Sequence, residues 1–268
     1  MGLDLITQRN CDVKQKVPQN ELLNLIKERN RATQVLKMVI NSGKSKEEAF
    51  ETEFTQRLQT QDGVKDLTVK VSSLFEKTAI LDELGGICKD CIISQNKPFG
   101  CIGSVSYPIS LKCEEWLATM AFEANKKGKP FSMSIEFILD QKINGQRIKE
   151  MRAQEQTFFE SNKPVDIILS KSLFSKKKID TNQLFDITFL QGLMQTTHIN
   201  YLLMMFGNIV TDNNKPESKP YKYDDENKKY VFLDLNLPKD YDKSILEFHN
   251  YFHHLFLAVI NGNDVLMD

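Results

Sequence analysis

Residues 67–75 read LTVKVSSLF, with Leu67, Val69, Val71, Ser73 and Phe75 on one parity and Thr68, Lys70 and Ser72 on the other. Side chains of a strand point to opposite faces in turn, so this alternation predicts a strand with one apolar face. Asp62-Gly63 just before it is a turn signal. Further upstream the pattern changes. Between Pro18 and Gly43, Leu22, Leu25, Ile26, Val35, Leu36, Val39 and Ile40 recur at three- and four-residue steps, which predicts an amphipathic helix closed by a glycine C-cap. Ser45 followed three residues later by Glu48 reads as a capping box opening a second helix, with Phe50, Phe54 and Leu58 along one face. These two helices are expected to form an antiparallel hairpin over residues 19–61.

Downstream, a short helix is expected over 76–84 and a longer one from the N-cap Ser110 to near Gly128. Glu114 and Glu115 stand in its first turn, facing the positive end of the helix dipole. Residues 131–141, where Ile135, Phe137, Ile138 and Leu139 fit helix or strand, are read as helix, and helices follow from Asn144-Gly145 through Phe158 and Phe159 to Pro164, over 181–190, 196–208 and 244–260. Short strands are expected near Leu3, over 165–169 and over 230–235, the first as an edge strand. The polar, charged and proline-containing span 210–229 reads as an exposed, mobile loop. The expectation is an α+β fold: a predominantly helical body around a small, mostly antiparallel sheet, with a cysteine-bearing Gly/Pro loop. Without a repeat or a shift in composition, residues 1–268 are expected to form a single domain. Its parts are a helical hairpin (19–61), a cysteine loop (85–115), a helical body (116–208), the mobile loop (210–229) and a C-terminal strand and helix (230–268).

The bulk numbers exclude several classes. A chain of 268 residues with 41% hydrophobic and 26% charged residues has the composition of an ordinary globular protein with a sizeable core. A net charge of −1 gives no general attraction to nucleic acid or an anionic membrane. No apolar run approaches the roughly 18–20 residues that cross a bilayer. The opening MGLDLITQRN lacks a secretory pattern, and Ile6 stands where N-myristoylation requires Ser or Thr. A cytoplasmic location is expected. Thiols stay reduced there, and an odd total of five cysteines argues against a fully paired disulfide set.

Four of those five fall within residues 85–115, GGICKDCIISQNKPFGCIGSVSYPISLKCEE, spaced C-x2-C-x9-C-x11-C. A CxxC turn directs two sulfurs the same way, and further ligands to one ion can come from elsewhere in the fold. Cys88, Cys91, Cys101 and Cys113 are therefore candidate ligands for zinc, which favours thiolate-rich tetrahedral sites. An iron–sulfur cluster is the lesser alternative, because the spacing matches neither ferredoxin pattern. Thioredoxin-like chemistry fits worse, since Cys91 leads into a Pro/Gly loop rather than a helix. Cys113 at a helix start is favoured as a thiolate by the dipole, and fits equally as a small buried apolar residue.

The four histidines are His198, His249, His253 and His254. On the last helix Phe248, Phe252, Leu255 and Phe256 mark the buried arc. His249 and His253 project side by side on its flank, and His254 is expected to point away. His249 or His253 is an alternative fourth ligand, although two histidines at the edge of a core equally serve as solvated boundary residues. Lys176, Lys177 and Lys178 read as a solvated loop rather than a phosphate-contacting patch. No phosphate loop, HExxH or GxSxG motif is present. These observations suggest a non-catalytic interaction or regulatory module, with a zinc-stabilised loop presenting Phe99 and Tyr107 to another protein. A metal- or thiol-dependent enzyme using the same loop with His249 or His253 is the alternative, and nucleic-acid binding through that loop and the lysines is the weaker one. No membrane partner is expected.

Overall fold

The computed structural model of the chain describes residues 2–60, 63–88, 91, 93, 97–128, 131–154, 157–171, 176–212, 222–224 and 229–268. The chain opens with β1 (Gly2–Thr7), α1 (Asp12–Lys16), α2 (Gln19–Asn41), α3 (Lys46–Phe50), β2 (Glu53–Thr60), β3 (Gly63–Lys70), α4 (Val71–Lys77) and α5 (Ile80–Ile87). There follow β4 (Ile102–Ser106), α6 (Leu111–Lys126), α7 (Phe131–Asp140), α8 (Gln146–Arg152), β5 (Asp166–Lys171), β6 (Lys176–Asp180), α9 (Thr181–Thr188) and β7 (Gly192–Met194). The remainder is α10 (Thr196–Met205), β8 (Ile209–Asp212), β9 (Lys222–Asp224), β10 (Lys229–Leu233), α11 (Lys243–Ile260) and β11 (Val265–Met267). Helices with small antiparallel sheets make this an α+β fold, as the hydrophobic patterning predicts. The chain divides into two compact units, Asn10–Gly100 and Met1–Arg9 with Cys101–Asp268.

In the unit Asn10–Gly100, Ala32 of α2 packs against Val71 and Leu74 of α4, with Phe50, Phe54 and Phe75 closing around them. Arg29 fastens α2 to the turn after α4. Its Nε donates to Thr78 Oγ1 at 2.7 Å, its Nη2 donates to Thr78 O at 2.7 Å, and its guanidinium lies 5.1 Å from the Phe75 ring centre. The capping box at Ser45 and Glu48 is present. The helix it opens is short, however, and the expected helical hairpin is not formed. Residues 53–60 instead pair with 63–70, from Glu53↔Lys70 to Thr60↔Gly63. Phe54 and Leu58 are four apart, a spacing that lies on one face of a strand as well as of a helix, so cross-strand pairing decides between them. The Asp62-Gly63 turn lies partly outside the described residues. The expected strand over 67–75 is also cut short. It ends at Lys70, because Val71 and Leu74, three apart and both buried, form the core face of α4.

The larger unit is built on a sheet of order β4-β1-β11-β7, with antiparallel neighbours throughout. β1 is therefore an interior strand, not an edge. It pairs from Gly2↔Ser106 to Ile6↔Ile102 on one side and from Leu5↔Met267 to Thr7↔Val265 on the other. α11 buries Phe248, Phe252, Leu255 and Phe256 in a core shared with α6, α9, α10 and this sheet. The helix expected to run through Phe159 stops at Arg152. Phe159 instead bridges Ile109, with Ile109 N–H donating to Phe158 O and Glu160 N–H donating to Ile109 O, both at 2.9 Å. Lys176–Lys178 belong to β6, paired with β5, rather than to a loop. Part of the span expected as a mobile loop pairs as a sheet of order β8-β10-β9, and its residues 213–221 and 225–228 lie outside the described set. Among the described residues no helix is long and apolar enough to cross a membrane.

Candidate functional site

The four candidate cysteines divide between the two units. In the unit Asn10–Gly100, Cys88 caps the C-terminus of α5 and is buried, and Cys91 donates its backbone N–H to Cys88 O at 3.1 Å. Burial raises the Cys88 pKa above its ordinary value, opposed by a hydrogen bond from the Phe99 backbone and reinforced by Cys11 and Cys91. Phe99 itself is half-buried, with φ at 61°. In the larger unit Cys101 is half-buried and its carbonyl accepts from Thr7 N–H at 2.9 Å. Cys113 does occupy the first turn of α6, where its N–H donates to the Ser110 cap at 3.0 Å. Its thiol is completely buried, and burial pushes its pKa strongly upward, with Asp242, Glu114 and Glu247 adding to the effect. Desolvation thus outweighs the helix dipole, and Cys113 acts as a small apolar core residue. Among the described residues no group of three or more His, Cys, Asp or Glu side chains is placed to hold a metal ion.

The histidines of α11 are arranged differently from the expectation at one position. His254 does not point away. It is buried, with Nε2 2.8 Å from Thr7 Oγ1, and ties α11 to the central strand of the sheet. His249 and His253 lie half-buried on the flank as expected. Burial lowers the pKa of both below 6.5, partly offset at His249 by Asn250 and the Leu235 backbone and reinforced at His253 by the neighbouring His249. Neutral imidazoles at the edge of a core fit these surroundings. Tyr107 is half-buried with its ring edge-on to Phe158 at 5.0 Å and to Phe189 at 6.4 Å. Burial raises its phenol pKa to about 12.

The charged cluster with the deepest burial was not apparent from the sequence. Arg152 of α8 pairs with Glu114 of α6 through both guanidinium Nη atoms. Arg152 also donates to Asn182 Oδ1 and to Ser161 O, each at 2.7 Å, and lies 4.2 Å over the Phe159 ring. Thr181 Oγ1 donates to Glu114 Oε2 at 2.8 Å. Every charged group here is paired, which marks the cluster as a clamp between α6, α8 and α9 rather than a reactive centre.

That clamp sets the position of α8, and with it one wall of a cavity of about 790 Å³ bounded by α7, α8, α9 and α10. Phe137, Ile143, Ile187, Leu190, Tyr201 and Leu202 supply its apolar lining. Phe137 and Tyr201 meet edge to face at 5.6 Å, and Phe137 and Leu190 keep 42% and 39% of their surface exposed. Arg147, Asp186, Thr197 and His198 add polar groups. Arg147 Nε donates to Asp186 Oδ1 at 3.1 Å and its Nη2 donates to Asp186 O at 2.8 Å, leaving Nη1 without a partner among the described residues. His198 is exposed and makes no hydrogen bond to a carboxylate or hydroxyl among the described residues, so nothing orients it as a general base. An apolar cleft of this size with a few polar groups is the form of a small-molecule site. The helix periods of 131–141, 181–190 and 196–208 are legible in the sequence, but the space left between the helices is not.

Comparison with models of known protein families, with characterised proteins and with solved structures returns no match to this chain.

Proposed function

We propose that this chain is a non-catalytic binding module that takes a small ligand with an extended apolar body and a hydrogen-bond-accepting, anionic end between α7, α8, α9 and α10. The observation that carries the reading is the pairing of an apolar cavity of about 790 Å³ with a guanidinium at its wall that keeps one donor in reserve. Pockets of roughly 300–1,000 Å³ suit ligands of this size. Arg147 suits a carboxylate because its Asp186 contacts fix the guanidinium plane while Nη1 remains available. This reading keeps the interaction-module class anticipated from the sequence and does not depend on zinc, for which the described residues offer no three-ligand group.

Calorimetric titration with decanoate tests it, since that molecule joins an apolar chain to a carboxylate. Saturable one-to-one binding is expected. Leu190→Glu at the rim and Arg147→Gln should each weaken it by about tenfold or more, equivalent to roughly 1.4 kcal/mol. No binding, or binding that both variants leave unchanged, rejects the reading.

A further inference from the structure

On the far end of α6 from its cap, a second and smaller cavity of about 230 Å³ lies among α6, the end of α10 and the segment after β10. Asn208 lines it and is completely buried, yet neither polar atom of its carboxamide has a hydrogen-bond partner among the described residues. Buried polar side chains in folded proteins almost always find a partner, so a donor and an acceptor left unpaired on one side chain are available to a group entering this cavity. The local fold holds this residue firmly. Gly207, at φ +68°, reverses the chain after α10 in a conformation that favours glycine. Asn208 N–H then donates to Leu203 O, and Asn208 O accepts from Asp234 N–H, both at 2.8 Å.

The remaining lining says what would enter. Trp116 provides an aromatic wall, and Met120, Phe206 and Leu235 provide apolar ones. Lys127 Nζ lies 3.5 Å from Asp234 Oδ2, and this half-exposed pair lines the same cavity. The volume is far above the roughly 30 Å³ share of one water and below the roughly 300–1,000 Å³ of drug-sized pockets, so a single planar ring system is the matching occupant. A carboxamide presents a donor beside an acceptor, the pattern that pairs with the amino group and ring nitrogen of adenine. Aromatic walls hold such rings by stacking.

We infer that this cavity binds a planar heterocycle carrying a donor–acceptor edge, with Asn208 reading the edge and Trp116 covering the ring. An adenine-type base and a nicotinamide-type carboxamide share that chemistry. The site is separate from the proposed apolar-ligand cavity and does not depend on it.

Trp116 is the only tryptophan of the chain, so indole fluorescence reports on this cavity directly. The full-length protein is titrated with adenosine, with nicotinamide and with N6,N6-dimethyladenosine, whose amino group cannot donate. Saturable quenching by adenosine or nicotinamide is expected, and which of the two binds tighter identifies the source of the ring. A preference for adenosine should be accompanied by at least tenfold weaker binding of the dimethylated analogue. Asn208→Ala should weaken the better ligand by at least tenfold with the circular dichroism of the unchanged fold. Leu190→Glu, in the other cavity, should leave quenching intact. If Asn208→Ala fails to fold, Trp116→Phe with calorimetric detection replaces it and should weaken the same ligand at least fivefold. The inference is overturned by the absence of saturable quenching with both ligands, which would assign the cavity to water. It is equally overturned by adenosine and its dimethylated analogue binding alike where adenosine is the better ligand, or by unchanged affinity in a folded Asn208→Ala or Trp116→Phe variant.

Discussion

Glu114 and Arg152 meet where the Glu114 side chain has no exposed surface and Arg152 only 4%. Removing two ions from water is costly, and here their mutual attraction together with Asn182, Thr181 and the Ser161 carbonyl offsets that cost. The two partners are therefore unequal to their pair. Arg152→Met strands a buried carboxylate and should destabilise the larger unit by about 3–5 kcal/mol, whereas Glu114→Leu combined with Arg152→Met should recover most of that loss. Urea unfolding followed by circular dichroism measures both, and a double variant no more stable than the single one would contradict the account. In the sequence, Glu114 is legible only as an acidic residue in a first turn, where the helix dipole already explains it. Nothing in its neighbours announces a guanidinium arriving from residue 152. His254 escaped for the same reason, since its partner Thr7 is set by strand pairing and not by any pattern along α11. Asn208 is a polar residue just past a helix end, and only its burial without a partner singles it out.

At the level of elements, local signals survive where they concern one turn and fail where a neighbour decides. The Ser45 cap, the Ser110 cap and the long period of α2 are all present. The passages from α3 to β2 and from β3 to α4 differ from the expectation because apolar residues four apart suit both periods, and tertiary pairing breaks the tie. The start of α8 shows how strongly one backbone position constrains two elements. Gly145 has φ +66°, and an added Cβ there would lie 2.7 Å from the backbone carbon of Asn182 in α9. Gly145→Ala should therefore cost about 2–4 kcal/mol, from the left-handed conformation and the overlap together. A thermal melt reads this directly, and a shift within about 1 °C of the parent, far below the roughly 2–4 °C expected per kcal/mol, would show that the α8–α9 contact yields freely.

Across the whole molecule, residues distant in sequence are brought together in β1. Its neighbours are β4 and β11, so Met1–Arg9 belongs with Cys101–Asp268 to one compact unit, and Asn10–Gly100 forms the other. A chain lacking residues 1–9 would expose the facing edges of two strands, and adding a peptide of residues 1–9 should restore the sheet. Loss of dispersed methyl resonances in the truncated protein, with recovery on adding the peptide, is the expected result; a truncated protein as well dispersed as the parent would count against it. Composition alone does not mark this arrangement, because apolar and charged residues are interspersed through both units.

The location of β1 also bears on biosynthesis. At roughly 5–20 residues per second, a ribosome takes on the order of 10–50 s to travel from the first strand to Met267, and throughout that interval the nascent sheet lacks one of its flanking partners. The intervening body has all of its own sequence available much earlier. Translation thus imposes an order in which the inserted unit can mature first, while β1 waits for β11.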